Sequence, residues 1–107
     1  MRDDAHTSTQ DLLVALWKRN QPLILERLAQ LDSAALAAQA GAIPEELREL
    51  AESNAHKLSG TLGMFGYHEG TTVARELEHQ LQQAPQDPAK LNELTRNLRD
   101  ALYPPSL

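Results

Sequence analysis

The stretch Ala55-His56-Lys57-Leu58-Ser59-Gly60-Thr61-Leu62-Gly63-Met64-Phe65-Gly66 holds the residues best suited to chemistry in this chain. Histidine as a residue type titrates near pH 6.5, so an exposed imidazole at neutral pH is largely neutral and nucleophilic at nitrogen. Such a ring can carry a covalent intermediate, a phosphoryl group included. A phosphoryl group needs positive charge or hydrogen-bond donors nearby. Lys57 is the cationic candidate for that support, and Ser59 and Thr61 are weaker neutral ones. Gly60, Gly63 and Gly66 recur at three-residue intervals inside what otherwise reads as a helix. Each costs about 1 kcal/mol relative to alanine in a helix interior. Close approach of another backbone, a helix or a ligand is the gain that offsets such a cost.

On a helical wheel of about 100° per residue with His56 at zero, Leu47, Ala51, Leu58, Leu62 and Phe65 fall between about 180° and 240°. They form the expected buried stripe, and His56 points away from it. Gly60 and Gly63 lie within about 40° of His56, one and two turns further on, which leaves bare backbone beside the ring and disfavours helix–helix packing as their purpose. Lys57 sits about 100° round the helix, so its stem must curl back to reach the ring. Gly66 reads equally as a helix terminator. No triad partner stands at recognisable spacing, and no glycine-rich strand-to-helix loop for a nucleotide occurs. The segment can therefore receive a phosphoryl group and lacks the means to start its transfer. Glu76 and His79 have the spacing used in di-iron bundles, but a second such motif is absent, so no metal is expected. His68 reads as a surface residue.

The elements that must position His56 are helices. The 107 residues include 19 Leu and 15 Ala against 2 Val and 2 Ile, with only four aromatics, Trp17, Phe65, Tyr67 and Tyr103. Leu and Ala favour helix, whereas β-branched and aromatic residues fill strands. The class is all-α, in one domain spanning 1–107. Residues 1–8 and 104–107 read as flexible ends. Ser8 or Thr9 caps a short first helix carrying Leu12, Leu13, Leu16 and Trp17, which Asn20-Gln21-Pro22 interrupts; Pro22 either opens a new segment or kinks a continuous one. A second helix carries Ile24, Leu28, Leu31 and Ala35 and ends at Gly41. Pro44, Glu45 and Glu46 start a third, which runs to about Gly66. A fourth covers 68–83, with Val73, Ala74, Leu77 and Leu81 inward. The turn 84–88, with Asp87 as a cap, leads to a last helix over 88–102 striped by Leu91, Leu94, Leu98 and Leu102. Short connections favour an antiparallel up-down four-helix bundle with the short extra N-terminal helix across one end; the alternative is a less regular helical array.

Ten basic and fifteen acidic residues give a net charge of −5, which disfavours nucleic acid as a partner. The chain has no cysteine, so disulfides, thiol catalysis and cysteine zinc sites are out. No stretch reaches the ~18–20 apolar residues of a membrane span, and the start lacks the apolar core of a signal peptide. A cytoplasmic location is expected.

The segment resembles the histidine-containing phosphotransfer (HPt) domains, whose signature reads roughly Ala-His-x-Leu-Lys-Gly-Ser-x-Gly-x-x-Gly. Ala55, His56, Leu58, Gly60, Gly63 and Gly66 coincide with it, and Thr61 replaces its small hydroxyl residue. Ala74 with Leu77-Glu78 is similar to the family's Ala-x-x-Leu-Glu on the next helix. The resemblance implies that His56 accepts a phosphoryl group from a receiver-domain aspartate or a kinase and passes it to a response-regulator receiver. The protein would act as a phosphorelay intermediate without kinase or phosphatase machinery, as a monomer and without its own cofactor, Mg²⁺ belonging to the receiver. One departure stands out: Ser59 occupies the position of the family's lysine. The alternative reading is a non-phosphorylated helical adaptor that binds a receiver or kinase through the same face. A catalytic phosphatase or kinase domain is a third and weaker reading. Docking is expected around His56, with Leu13, Leu16 or Met64 as apolar contacts at the rim.

Overall fold

A computed structural model describes residues 9–102 of the chain, and all its regular elements are helices. The expectations for the ends 1–8 and 104–107 lie outside the described residues. Four helices follow in order: α1 (Thr9–Gln39), α2 (Glu45–Met64), α3 (His68–Gln82) and α4 (Pro88–Ala101). Each packs on its neighbour in sequence, and α1 closes the ring against α4. The core holds Trp17, Ile24, Leu28 and Leu31 of α1, Ala51, Ala55, Leu58 and Leu62 of α2, Leu77 and Leu81 of α3, and Leu91 and Leu98 of α4. The stripes expected on the last three helices are therefore the buried ones, with Leu47 and Val73 only partly covered.

The expected short extra N-terminal helix is not a separate element among the described residues. Residues 9–39 form one helix with Pro22 inside it. Proline removes the donor that would bond the Lys18 carbonyl four residues back. One turn earlier the Asn20 side-chain amide donates to the Leu16 carbonyl at 2.8 Å. Burial on both sides of the proline outweighs the local penalty, because Trp17 precedes it and Ile24 and Leu28 follow it into the same core. Breaking the helix would take one group or the other out of register. Trp17 anchors this end by an edge contact with Phe65 at 5.2 Å between ring centroids and a tilted one with Tyr67 at 4.9 Å.

The helix ends follow from local chemistry. Past α1, Gly41 adopts φ +134°, open to glycine and strained for other residues. Pro44 stands just ahead of α2, with Glu45 and Glu46 in the first turn beside the positive end of the dipole. At its far end Gly66 has φ +82°, Tyr67 N–H bonds the Leu62 carbonyl at 2.9 Å, and Gly66 N–H bonds that of Gly63 at 3.2 Å. This double closure caps the last carbonyls of α2 and turns the chain into α3. Asp87 accepts from the Lys90 N–H at 3.2 Å and starts α4 with Pro88 in its first turn.

Candidate functional site

His56 lies midway along α2 on its solvent face, with its side chain 73% exposed. Ala55 and Leu58 beside it are fully buried, so the helical period that buries them turns His56 outward. Its Nδ1 faces the Glu78 carboxylate of α3, 3.1 Å from Oε2 and 3.3 Å from Oε1. A carboxylate accepts and does not donate, so in the neutral ring Nδ1 carries the proton and the lone pair is on Nε2. No hydrogen bond reaches Nε2 from the described residues.

The contact follows from antiparallel register. One turn before His56, Glu52 accepts from the Gln82 amide at 2.9 Å, one turn after Glu78 on α3. Stepping forward on α2 and backward on α3 carries the Glu52–Gln82 pair into the His56–Glu78 pair. Further along the same seam, a Cβ built on Gly63 would stand 3.5 Å from Thr71 Oγ1, an ordinary contact. Gly63 thus borders α3 at a distance that an alanine would tolerate, so the packing of that helix does not demand glycine there. A Cβ on Gly60 would meet nothing within 4 Å. The bare backbone beside the ring is Gly60.

The remaining sequence candidates separate. The Ser59 hydroxyl donates to the His56 carbonyl at 2.7 Å, and the residue is buried against α3, where the Thr71 hydroxyl reaches its own carbonyl at 3.4 Å. The Ser59 hydroxyl is therefore directed at backbone, and the carbonyl that Thr71 donates to is that of Ser59. Thr61 is half-buried and Lys57 is exposed. Of the apolar rim residues, Leu13 and Leu16 pack against the core, and Met64 is 63% exposed.

Beside His56 runs an open groove of about 410 Å³ lined by Arg48, Glu49, Glu52, Ser53, His56 and Glu78. Arg48 is its anchor. Its guanidinium donates to both Glu45 oxygens at 2.9 and 2.6 Å, to Glu52 Oε1 at 2.8 Å and to the Leu81 carbonyl at 3.2 Å. The Arg48 hydrogen bond holds the Glu45 carboxyl below its ordinary range. Glu52 is lowered first by the Gln82 amide and then by Arg48, and the two carboxylates together push Arg48 up. This cluster ties the first half of α2 to the end of α3 and so fixes the register that brings Glu78 to His56. Sequence reasoning had Glu78 in a motif but did not place it at the ring, and it missed Arg48, Glu52 and Gln82. The signal for them is polar residues one turn apart on facing edges, which is readable only once the α2–α3 turn is known.

A ring of four helices that turns an imidazole outward from the middle of its second helix, held at Nδ1 by the third, defines a helical histidine module. The Hpt domain family's sequence model matches residues 11–102, and the chain belongs to that family. Its members work as histidine phosphotransfer intermediates of two-component phosphorelays, with receiver domains and kinases as their typical partners. No curated protein and no solved structure matched the chain. No helix among the described residues is long and apolar enough to cross a membrane.

Proposed function

We propose that His56 is the phosphoryl carrier, taking the group at Nε2 from a receiver-domain aspartate or a kinase and passing it to a response-regulator receiver. The observation that carries this reading is the ring itself: Nδ1 tied to Glu78, Nε2 unbonded, and the open backbone of Gly60 a turn away. The Nε2 lone pair attacks phosphorus in line with the bond to the aspartate oxygen. An N–P bond forms as the P–O bond breaks, and the aspartate leaves as a carboxylate. The ring becomes cationic, and the Nδ1 proton stays shared with Glu78, whose charge offsets it. Passing the group on reverses these steps. Transfer of this kind depends on alignment and charge stabilisation, and Mg²⁺ on the receiver supplies much of the latter. Ser59, Thr61 and Lys57 supply no direct contact to Nε2 here, so the counter-charge for the phosphoryl oxygens comes from the docked partner or from a Lys57 stem folded back over the helix.

Incubation with a phosphorylated receiver should place an acid-labile, base-stable label on the protein. His56→Gln, with its helicity retained by circular dichroism, should abolish that label; unchanged labelling overturns the assignment. Glu78→Gln keeps a hydrogen-bonding group and removes its charge, and should slow transfer about tenfold. A second reading, the unphosphorylated adaptor, draws on Ser59: its hydroxyl is turned to backbone, so no cation stands one turn after His56. Receiver binding that survives His56→Gln without label transfer would favour it.

A further inference from the structure

A phosphoryl group on Nε2 of His56 enters acidic surroundings. The groove beside the ring holds the carboxylates of Glu49, Glu52 and Glu78 against a single guanidinium, that of Arg48. Arg48 is already committed to Glu45, Glu52 and the Leu81 carbonyl. A phosphoryl group adds negative charge of its own, and like charges repel. The ring therefore needs a cation that is not spent on a carboxylate. The seam between α2 and α3 points to one. Residues 52, 56, 59 and 63 form a stripe on α2 with steps of four, three and four, and residues 71, 75, 78 and 82 form its match on α3. Antiparallel packing runs one stripe against the other. Glu52 meets Gln82 at 2.9 Å, His56 meets Glu78 at 3.1 Å, and a Cβ on Gly63 would stand 3.5 Å from Thr71 Oγ1. The remaining step sets Arg75 opposite Ser59, one turn along from the ring. Arg75 is exposed and has no hydrogen bond or ion pair among the described residues. The Ser59 hydroxyl is turned to the His56 carbonyl and supplies no charge at this step. Lys57, about 100° round α2 from His56, lies off the seam.

We propose that Arg75 donates its guanidinium N–H groups to the phosphoryl oxygens on His56 and so supplies from α3, in place of Lys57, this chain's share of the counter-charge. The proposal rests on His56 as the phosphoryl carrier. A guanidinium stays charged at every working pH and presents paired donors that match phosphate oxygens. The unphosphorylated ring offers Arg75 nothing to bond, which accords with its exposed, unpaired state; the contact forms when the group arrives. Arg75 gives up no proton and takes part in no bond exchange. It acts through charge and hydrogen bonds alone.

Phosphoramidate, a small donor that needs no docking surface, makes the test. Arg75→Gln should slow labelling about fivefold with phosphoramidate and with a phosphorylated receiver alike, the upper range for an exposed charge pair. Arg75→Lys should recover most of that loss. In ¹⁵N-labelled protein the Arg75 Nε–H resonance should move when phosphoramidate labels His56, and should stay in place when His56→Gln receives the same treatment. A merely structural role would not move it. Unchanged labelling of Arg75→Gln, a resonance that stays still, or a larger loss in Lys57→Gln than in Arg75→Gln each overturns the proposal. Loss with the receiver alone also overturns it, because Arg75 would then be a docking residue. The melting temperature of Arg75→Gln should match that of the unaltered protein, and a marked drop would assign the loss to the fold instead. If neither donor labels His56 in the unaltered protein, the function proposed above fails and the role of Arg75 with it. If His56 is labelled and Arg75→Gln keeps pace, the role of Arg75 fails alone.

Discussion

At the scale of single residues, Gly60 is the position where stability and access are opposed. No atom lies where its Cβ would go, so alanine fits without a clash and removes the conformational cost of glycine in a helix. Gly60→Ala should therefore stabilise the protein by about 0.5–1 kcal/mol in urea unfolding, from the helix-propensity difference alone. The same methyl stands a turn from the imidazole, and if the bare backbone serves docking, receiver-dependent labelling should fall several-fold while phosphoramidate labelling holds. Unchanged transfer in the stabilised variant would reduce Gly60 to an accident of the helix. The outward direction of His56 was legible in the sequence, because the wheel that buries Leu58 and Leu62 leaves it one orientation. Its partner was not. Glu78 is twenty-two residues away, and only the turn at Gly66 and the register it sets bring the carboxylate to Nδ1. Gly70 shows the same limit from the other side. It drew no notice in the sequence, yet a Cβ there would stand 3.1 Å from Leu62 Cδ1, tighter than either Gly60 or Gly63.

Among the elements, α2, α3 and α4 were readable because local signals and burial agree: acids and proline at the start of α2, Gly66 at its end, Asp87 ahead of Pro88. In α1 they disagree, and the local signal loses. Pro22 argues for a break, but Trp17 and Ile24 must reach the same core from either side of it, and a continuous helix delivers both. Proline in a helix interior costs about 3 kcal/mol, and part of this is returned by the stiffer unfolded chain. Pro22→Ala should accordingly raise the unfolding free energy by about 2 kcal/mol, measured from urea transitions. A loss of stability would mean that the fit of Trp17 against Phe65 and Tyr67 depends on the backbone path that Pro22 sets. The element that carries His56 should not register the change, so its labelling should match that of the unaltered protein.

For the whole molecule, the Arg48 cluster sets how the bundle responds to acid. Glu45 and Glu52 are held below their ordinary pKa of 4.5 in the folded protein, Glu45 through its hydrogen bond to Arg48 and Glu52 through Gln82 and then Arg48. Their folded values lie below those of the unfolded chain, so the unfolded state binds protons first as the pH drops. The stability they contribute is present in full above about pH 4.5 and is lost as the pH falls through the lowered folded values. Both carboxylates are solvent-accessible, which keeps the effect modest and sensitive to salt. The cluster also crosses elements, since Arg48 bonds the Leu81 carbonyl and Glu52 holds Gln82, both at the end of α3. Arg48→Met should therefore flatten the fall in melting temperature between pH 7 and pH 3, with most of the difference between the two proteins at neutral pH and little at pH 3. Raised ionic strength should shrink the same difference. Parallel melting curves for both proteins across that range would show that the cluster contributes geometry alone. Label transfer separates the two roles: if the register of α2 on α3 depends on Arg48, the variant should lose transfer at neutral pH while it remains folded, because Glu78 then no longer holds Nδ1 in place.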